Sequence, residues 1–149
     1  MIKIEIDARQ AMQALSKLEN LPMDQVMRGV ADTAEQLTRE RFRTETTPTG
    51  SAWAPHKPAT IKARERKGSA SRALLVDTGA MYDSIHTEHS ATDAAVIIGG
   101  GEGMFPGVHQ NGLGPIPARP FVPTGPDLPP AYLDALAVPI AAAIKKAIE

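Results

Sequence analysis

The residues of this chain that could do chemistry are a few histidines, a run of glycines and a block of arginine and lysine. His86 and His89 stand three apart with Glu88 between them, a spacing that suits a metal only if both side chains leave one helical face. Their surroundings read as a strand, where a spacing of three points side chains to opposite faces, so ligation is not expected. His109, in Val108-His109-Gln110-Asn111-Gly112, lies in a polar turn between two irregular segments. A general base there needs a nucleophile and an orienting carboxylate. The chain has no G-x-S-x-G, no H-E-x-x-H and no clustered acidic pair, so a hydrogen-bonded turn histidine is the expectation. Gly99-Gly100-Gly101-Glu102-Gly103 follows an expected strand, as a phosphate loop would. No register gives G-x-G-x-x-G, no Gly-Lys pair exists, and Pro106 and Gly107 stand where a helix should collect the phosphate. No catalytic, cofactor-binding or metal-ligating residue is assigned, and no cofactor is expected.

The charges carry more information. Residues 1–38 sum to −2, residues 39–72 to +6 and residues 73–149 to −5, within a chain of net charge −1. The basic block contains Lys62, Arg64, Arg66, Lys67 and Arg72, which could meet nucleic acid through counterion release or an acidic neighbouring subunit, or simply be solvated. Phe42 and Trp53 are the only residues there that could stack on bases. A near-neutral chain of this pattern is not a general nucleic-acid binder, but it could assemble head to tail with copies of itself.

The elements that must position these residues form one domain over 1–149. Alanine makes up 23 of the residues and aromatics only six, so small and aliphatic side chains must build the core. The absence of cysteine removes disulfides, thiolate metal sites and thiol nucleophiles. The start resembles no secretory signal and no apolar run is long enough for a membrane, so a cytoplasmic protein is expected.

Ile2, Ile4 and Ile6 alternate as a short strand, and Asp7 with Gln10 forms a capping box for a helix marked by Ala11, Leu15 and Leu18. Pro22 opens a second helix whose stripe is Val26, Val30, Ala34, Leu37 and Arg41, with Met27 and Phe42 beside it. Prolines around Trp53 describe a fixed loop. A short helix over Thr60–Arg66 is conceivable, but residues 62–72 read as a mobile basic loop. Asp77 or Thr78 caps a short helix through Met81 and Ile85, and Ser84–Ser90 with Ala94–Gly99 forms a hairpin. Residues 99–130 form a Gly/Pro-rich arm of extended, pre-ordered chain. The C-terminal helix, 131–148, carries the stripe Leu133, Leu136, Ala137, Ile140, Ala141, Ile144 and Ile148, with Pro139 expected to kink it or end a first segment. The fold class is α+β: a small antiparallel sheet packed with long N-terminal helices and a C-terminal helix, with extended Gly/Pro-rich loops.

Ile116-Pro117-Ala118-Arg119-Pro120-Phe121-Val122 is rigid and holds the residue types that dominate interfaces, so it either docks on its own core or anchors a partner. The order of motifs is more telling than any one of them. Arg41-Phe42 is followed by Pro48-x-Gly50-x-x-Trp53, then Lys57 with Thr60 and Lys62, then Leu75-x-x-Thr78-Gly79-x-Met81-x-x-Ser84-Ile85. Val108-His109-Gln110-x-Gly112 and Ile116-Pro117-Ala118-Arg119-Pro120-Phe121 complete the set. In this order the chain resembles the phage virion morphogenesis family, over roughly residues 30–125. It departs from the family pattern at Phe105-Pro106 and in its acidic C-terminal third.

The resemblance implies a non-enzymatic structural protein of the virion, assembled in the host cytoplasm and acting in tail completion or head–tail joining. It implies a homo-oligomeric ring of copies around the DNA path, six being the suggested number, in contact with other phage head, neck or tail proteins and not with a membrane. The alternatives are a capsid-assembly factor that does not stay in the particle and a DNA-binding accessory protein. Trp53, Phe105, His109, Arg119, Pro120 and Phe121 are then candidates for the subunit interface, and Lys62, Arg64, Arg66, Lys67 and Arg72 for DNA or an acidic partner.

Overall fold

A computed structural model of the chain describes residues 9–125 and 127–149. The expected strand Ile2–Ile6 and the Asp7–Gln10 capping box lie outside the described residues. The helices and strands are α1 (Arg9–Glu19), α2 (Met23–Thr44), α3 (Pro58–Lys67), α4 (Ala80–Asp83), β1 (His86–His89), β2 (Ala94–Ile97), α5 (Pro106–Asn111) and α6 (Pro130–Ile148). This is the small α+β fold expected.

Helix α2 is the axis. It packs on α6 and on both strands, and α1 packs on α6. Asp24 in its first turn and Arg41 and Arg43 in its last complement the helix dipole. It ends where Glu45 turns left-handed at φ 56° and its N–H returns to the Arg41 carbonyl. The residues α2 buries are Val26, Ala31, Thr38 and Phe42. The burial stripe therefore runs beside the expected one, and Thr38 tolerates it because its hydroxyl donates to the Ala34 carbonyl at 2.9 Å.

Where α2 meets α6, a side chain at Gly29 would put its Cβ 2.9 Å from Cβ of Pro139. Glycine lets the two helices approach there. Helix α6 is a single helix with Pro139 inside it, so that proline does not end a first segment.

The strands pair antiparallel, His86 opposite Ile97 and His89 opposite Ala94, around the expected turn. The Ser90 hydroxyl closes that turn by accepting the Thr92 and Asp93 N–H groups. Arg39 fixes the hairpin to α2, donating to the Tyr82 carbonyl at 3.1 Å and the Ile85 carbonyl at 2.7 Å.

The core departs from the expectation that small and aliphatic side chains build it. Phe42, Trp53, Leu75, Ile85 and Phe121 form its buried cluster. Phe42 meets Trp53 edge to face at 5.7 Å, Tyr82 at 5.8 Å and Phe121 at 5.2 Å. Each such ring removes a large apolar area from water, so four of the few aromatics supply much of the driving force.

Two further expectations are corrected. Residues 62–67 belong to α3 instead of a mobile loop, because Arg64 and Ser69 are buried and bonded. His109 lies within α5, so the 99–130 arm is not extended throughout.

Candidate functional site

Three loops with little regular structure of their own are held against the core by buried polar side chains. The central one is Arg119, only 4% exposed. Its Nε donates to the Ala54 carbonyl at 2.7 Å and its Nη2 to the Pro55 carbonyl at 3.1 Å. Its own N–H donates to the His109 carbonyl at 2.7 Å. Burial lowers the Arg119 pKa, partly offset by the field of Glu45, but a guanidinium stays protonated, so carbonyl dipoles hold the charge.

Trp53 adds a further bond, Nε1 donating to the Pro120 carbonyl at 2.8 Å. Gln110 adds three. Its Oε1 accepts the Phe121 N–H at 2.9 Å and the Val122 N–H at 3.2 Å, and its Nε2 donates to the Val122 carbonyl at 2.8 Å. One amide side chain thus does for the arm what a neighbouring strand would do, satisfying backbone groups that burial would otherwise strand. Gly112 makes room for the return of the chain, since a Cβ there would lie 2.9 Å from the Ala118 N at a φ of +75°.

Arg64 makes an equivalent clamp on α3. Its Nη2 donates to the Ala73 and Val76 carbonyls, each at 3.1 Å, and its Nη1 to Nε2 of His56. Nε lies 3.6 Å from Asp77. The Ser69 hydroxyl donates to that same carboxylate, and this bond, with Lys67, Arg64 and Arg72 nearby, holds the Asp77 pKa below its ordinary value despite some desolvation. Glu45 completes the frame by accepting the Leu74 N–H at 2.7 Å.

Between α3, the 74–81 segment and the 102–109 segment lies an open cleft of about 540 Å³, with His56, Arg64, Asp77, Phe105 and His109 in its lining. His56 accepts from Arg64 and so keeps its ring proton on Nδ1. Burial, then the charges of Arg64 and Arg119, push its pKa down. Burial and Arg119 do the same to His109, whose Nδ1 is buried without a hydrogen-bond partner. Both imidazoles are thus neutral at pH 7. Neither is hydrogen-bonded to a carboxylate or hydroxyl among the described residues, so no nucleophile–base pair is formed.

His86 and His89 are on separate partners: His86 Nδ1 sits 2.8 Å from the Ser84 carbonyl, and His89 lies 3.7 Å from Asp24. Among the described residues no group of three or more His, Asp or Glu side chains could hold a metal ion. The glycine run carries no helix start until Pro106.

The sequence-derived candidates divide cleanly. Trp53, Arg119 and Phe121 are buried in their own fold, and Pro120 and His109 are partly buried. Phe105 is 63% exposed and is the one large side chain of that set available to a partner. Of the basic candidates, Arg64 is a buried clamp and not a surface charge. Lys62, Arg66, Lys67 and Arg72 are exposed, the last donating to the Asp77 carbonyl. His56, Gln110 and Glu45 were not singled out by sequence. For Gln110 the signal was present, since it adjoins the histidine in a motif already distinguished by its order.

The site therefore defines a class: an α+β scaffold whose irregular loops are locked by buried polar clamps, with a basic helix and one aromatic left outside. A family model described as the phage virion morphogenesis family matches residues 6–130. The chain belongs to that family, and a role in phage structure or assembly follows. Comparison with curated proteins and with solved structures finds no match. Among the described residues no helix is long and apolar enough to cross a membrane.

Proposed function

We propose that this chain is a non-enzymatic structural subunit of the virion, acting in tail completion or at the head–tail joint as a ring of copies around the DNA path. The family match over residues 6–130 is the observation that carries this reading. The arrangement of surface groups supports it. Phe105 stands exposed at the cleft, offering an aromatic contact to a neighbour. Lys62, Arg66 and Lys67 on α3 offer charge to a polyanion or an acidic surface.

Negative-stain microscopy of the purified chain and detection of the chain in purified particles test the proposal together. Rings in the first and a stoichiometric band in the second are expected. A chain that is monomeric at low and high salt and absent from particles overturns it. The exposed basic face of α3 favours one second reading, a DNA-binding accessory protein. That reading requires duplex binding with a steep salt slope that weakens when Lys62, Arg66 and Lys67 are neutralised.

A further inference from the structure

We propose that the outer face of α6 is a self-association surface that pairs with α6 of a second copy, antiparallel and about a two-fold axis. Helix α6 is apolar nearly all round, with charges only at Asp134, Lys145 and Lys146, yet Tyr132 is its only fully buried residue. A helix of that composition is ordinarily covered on more than one side. Leu133 is 53% exposed, Ile140 41%, Ile144 37% and Ile148 49%. At 100° per residue these four and Ala137 fall in one stripe, beside the face that packs on α2. The stripe leaves on the order of 500 Å² per copy, so pairing removes about 1,000 Å² in all, enough for a weak specific interface.

The charges select the partner and its direction. Asp134 and Lys145 lie on the same flank of the stripe, at opposite ends of the helix. In an antiparallel pair each Asp134 comes within about one turn of the other copy's Lys145, and the helix dipoles oppose. A parallel two-fold pair would set the two charged flanks on opposite sides of the seam, leaving Asp134 and Lys145 without each other, and would align the dipoles. Lys145 is free to change partners, because its intrahelical contact with Glu149 is long, at 3.8 Å, and exposed. Most of α6 lies beyond the family-matched residues 6–130, and the pairing is argued from α6 alone, without the ring.

Sedimentation velocity of the full chain from about 1 to about 300 μM tests the pairing. A reversible doubling of mass is expected, from monomer to dimer or from ring to paired rings, lost in Ile140→Glu with circular dichroism unchanged. Asp134→Lys and Lys145→Asp should each raise the dissociation constant about tenfold, and the double reversal should restore it. Rings that survive Ile140→Glu while the dimer is lost support a separate contact. The proposal is overturned by a native chain that stays monomeric, by a dimer indifferent to Ile140→Glu, or by a double reversal no better than the single changes. It is also overturned if Ile140→Glu abolishes rings, or if the native chain floats with phosphatidylglycerol vesicles through this face without dimerising.

Discussion

The two ends of α2 are built on different principles. Around its C-terminal end, Phe42, Trp53 and Phe121 are buried, and Arg119, Gln110 and Arg64 tie three loops to one another through backbone carbonyls and N–H groups. Around its N-terminal half, α1 and α6 leave Met12, Leu15 and Val138 more than half exposed. The first region satisfies most of its buried polar groups from within the chain, His109 Nδ1 being an exception. The second has apolar surface left over. In a family that assembles virions, this contrast separates the part that holds a subunit's shape from the part free to meet neighbours.

The contrast breaks most decisively at the clamps. Arg119→Ala removes a buried cation and strands the carbonyls it served, so a loss of about 3–5 kcal/mol is expected. Thermal unfolding followed by circular dichroism should show it as a fall in Tm of roughly 10 °C or more. If assembly were lost with the melting point unchanged, the arm would be an interface and not a clamp.

Gln110→Ala leaves the Phe121 and Val122 backbone groups without partners and should cost about 2–3 kcal/mol by urea denaturation. Gln110→Glu should recover little, since a carboxylate cannot donate to the Val122 carbonyl. In the other region, Gly29→Ala forces α2 away from Pro139 and should cost about 1–3 kcal/mol. A neutral result in the urea midpoint would show that this end is loosely packed.

A smaller effect is expected from pH. His56 is held neutral, with a folded pKa below the unfolded value near 6.5. The unfolded chain therefore binds more protons in that window, so the contribution is complete above about pH 6.5 and is lost as pH falls through the lower folded value. His56→Gln, which can still accept from Arg64, should flatten the urea midpoint between about pH 7 and about pH 5. The smallest effect is expected at Lys62→Ala, an exposed position on α3, where stability should move by less than about 0.5 kcal/mol. A larger loss there would make the basic face part of the fold.

Much of the fold was legible because it is locally encoded. The three- and four-residue spacing in α2 and α6, the Ser90–Asp93 turn and the alternation around it specify their elements without reference to anything distant. The site was legible only in part. Trp53 and Phe121 were visible as unusual residues, but nothing local says whether an aromatic flanked by prolines turns inward or outward. Arg64 sits in a run of like charges, and only its distance from Ala73 and Val76 makes it a clamp. His56 carries no local signal at all, since its partner is eight residues away on another element.

By itself, then, the sequence determined the helices, the hairpin, the absence of thiol chemistry and, through the order of its motifs, the family. Each of these depends on neighbours in the chain or on residue types alone. Tertiary structure decided which arginines are buried, which aromatics make the core and which apolar stripe is left outside. Those outcomes turn on desolvation and on partners 60 or more residues away, such as Trp53 with Pro120 and Arg119 with Ala54. A buried guanidinium and a solvated one have the same letter, and only the carbonyls around it tell them apart.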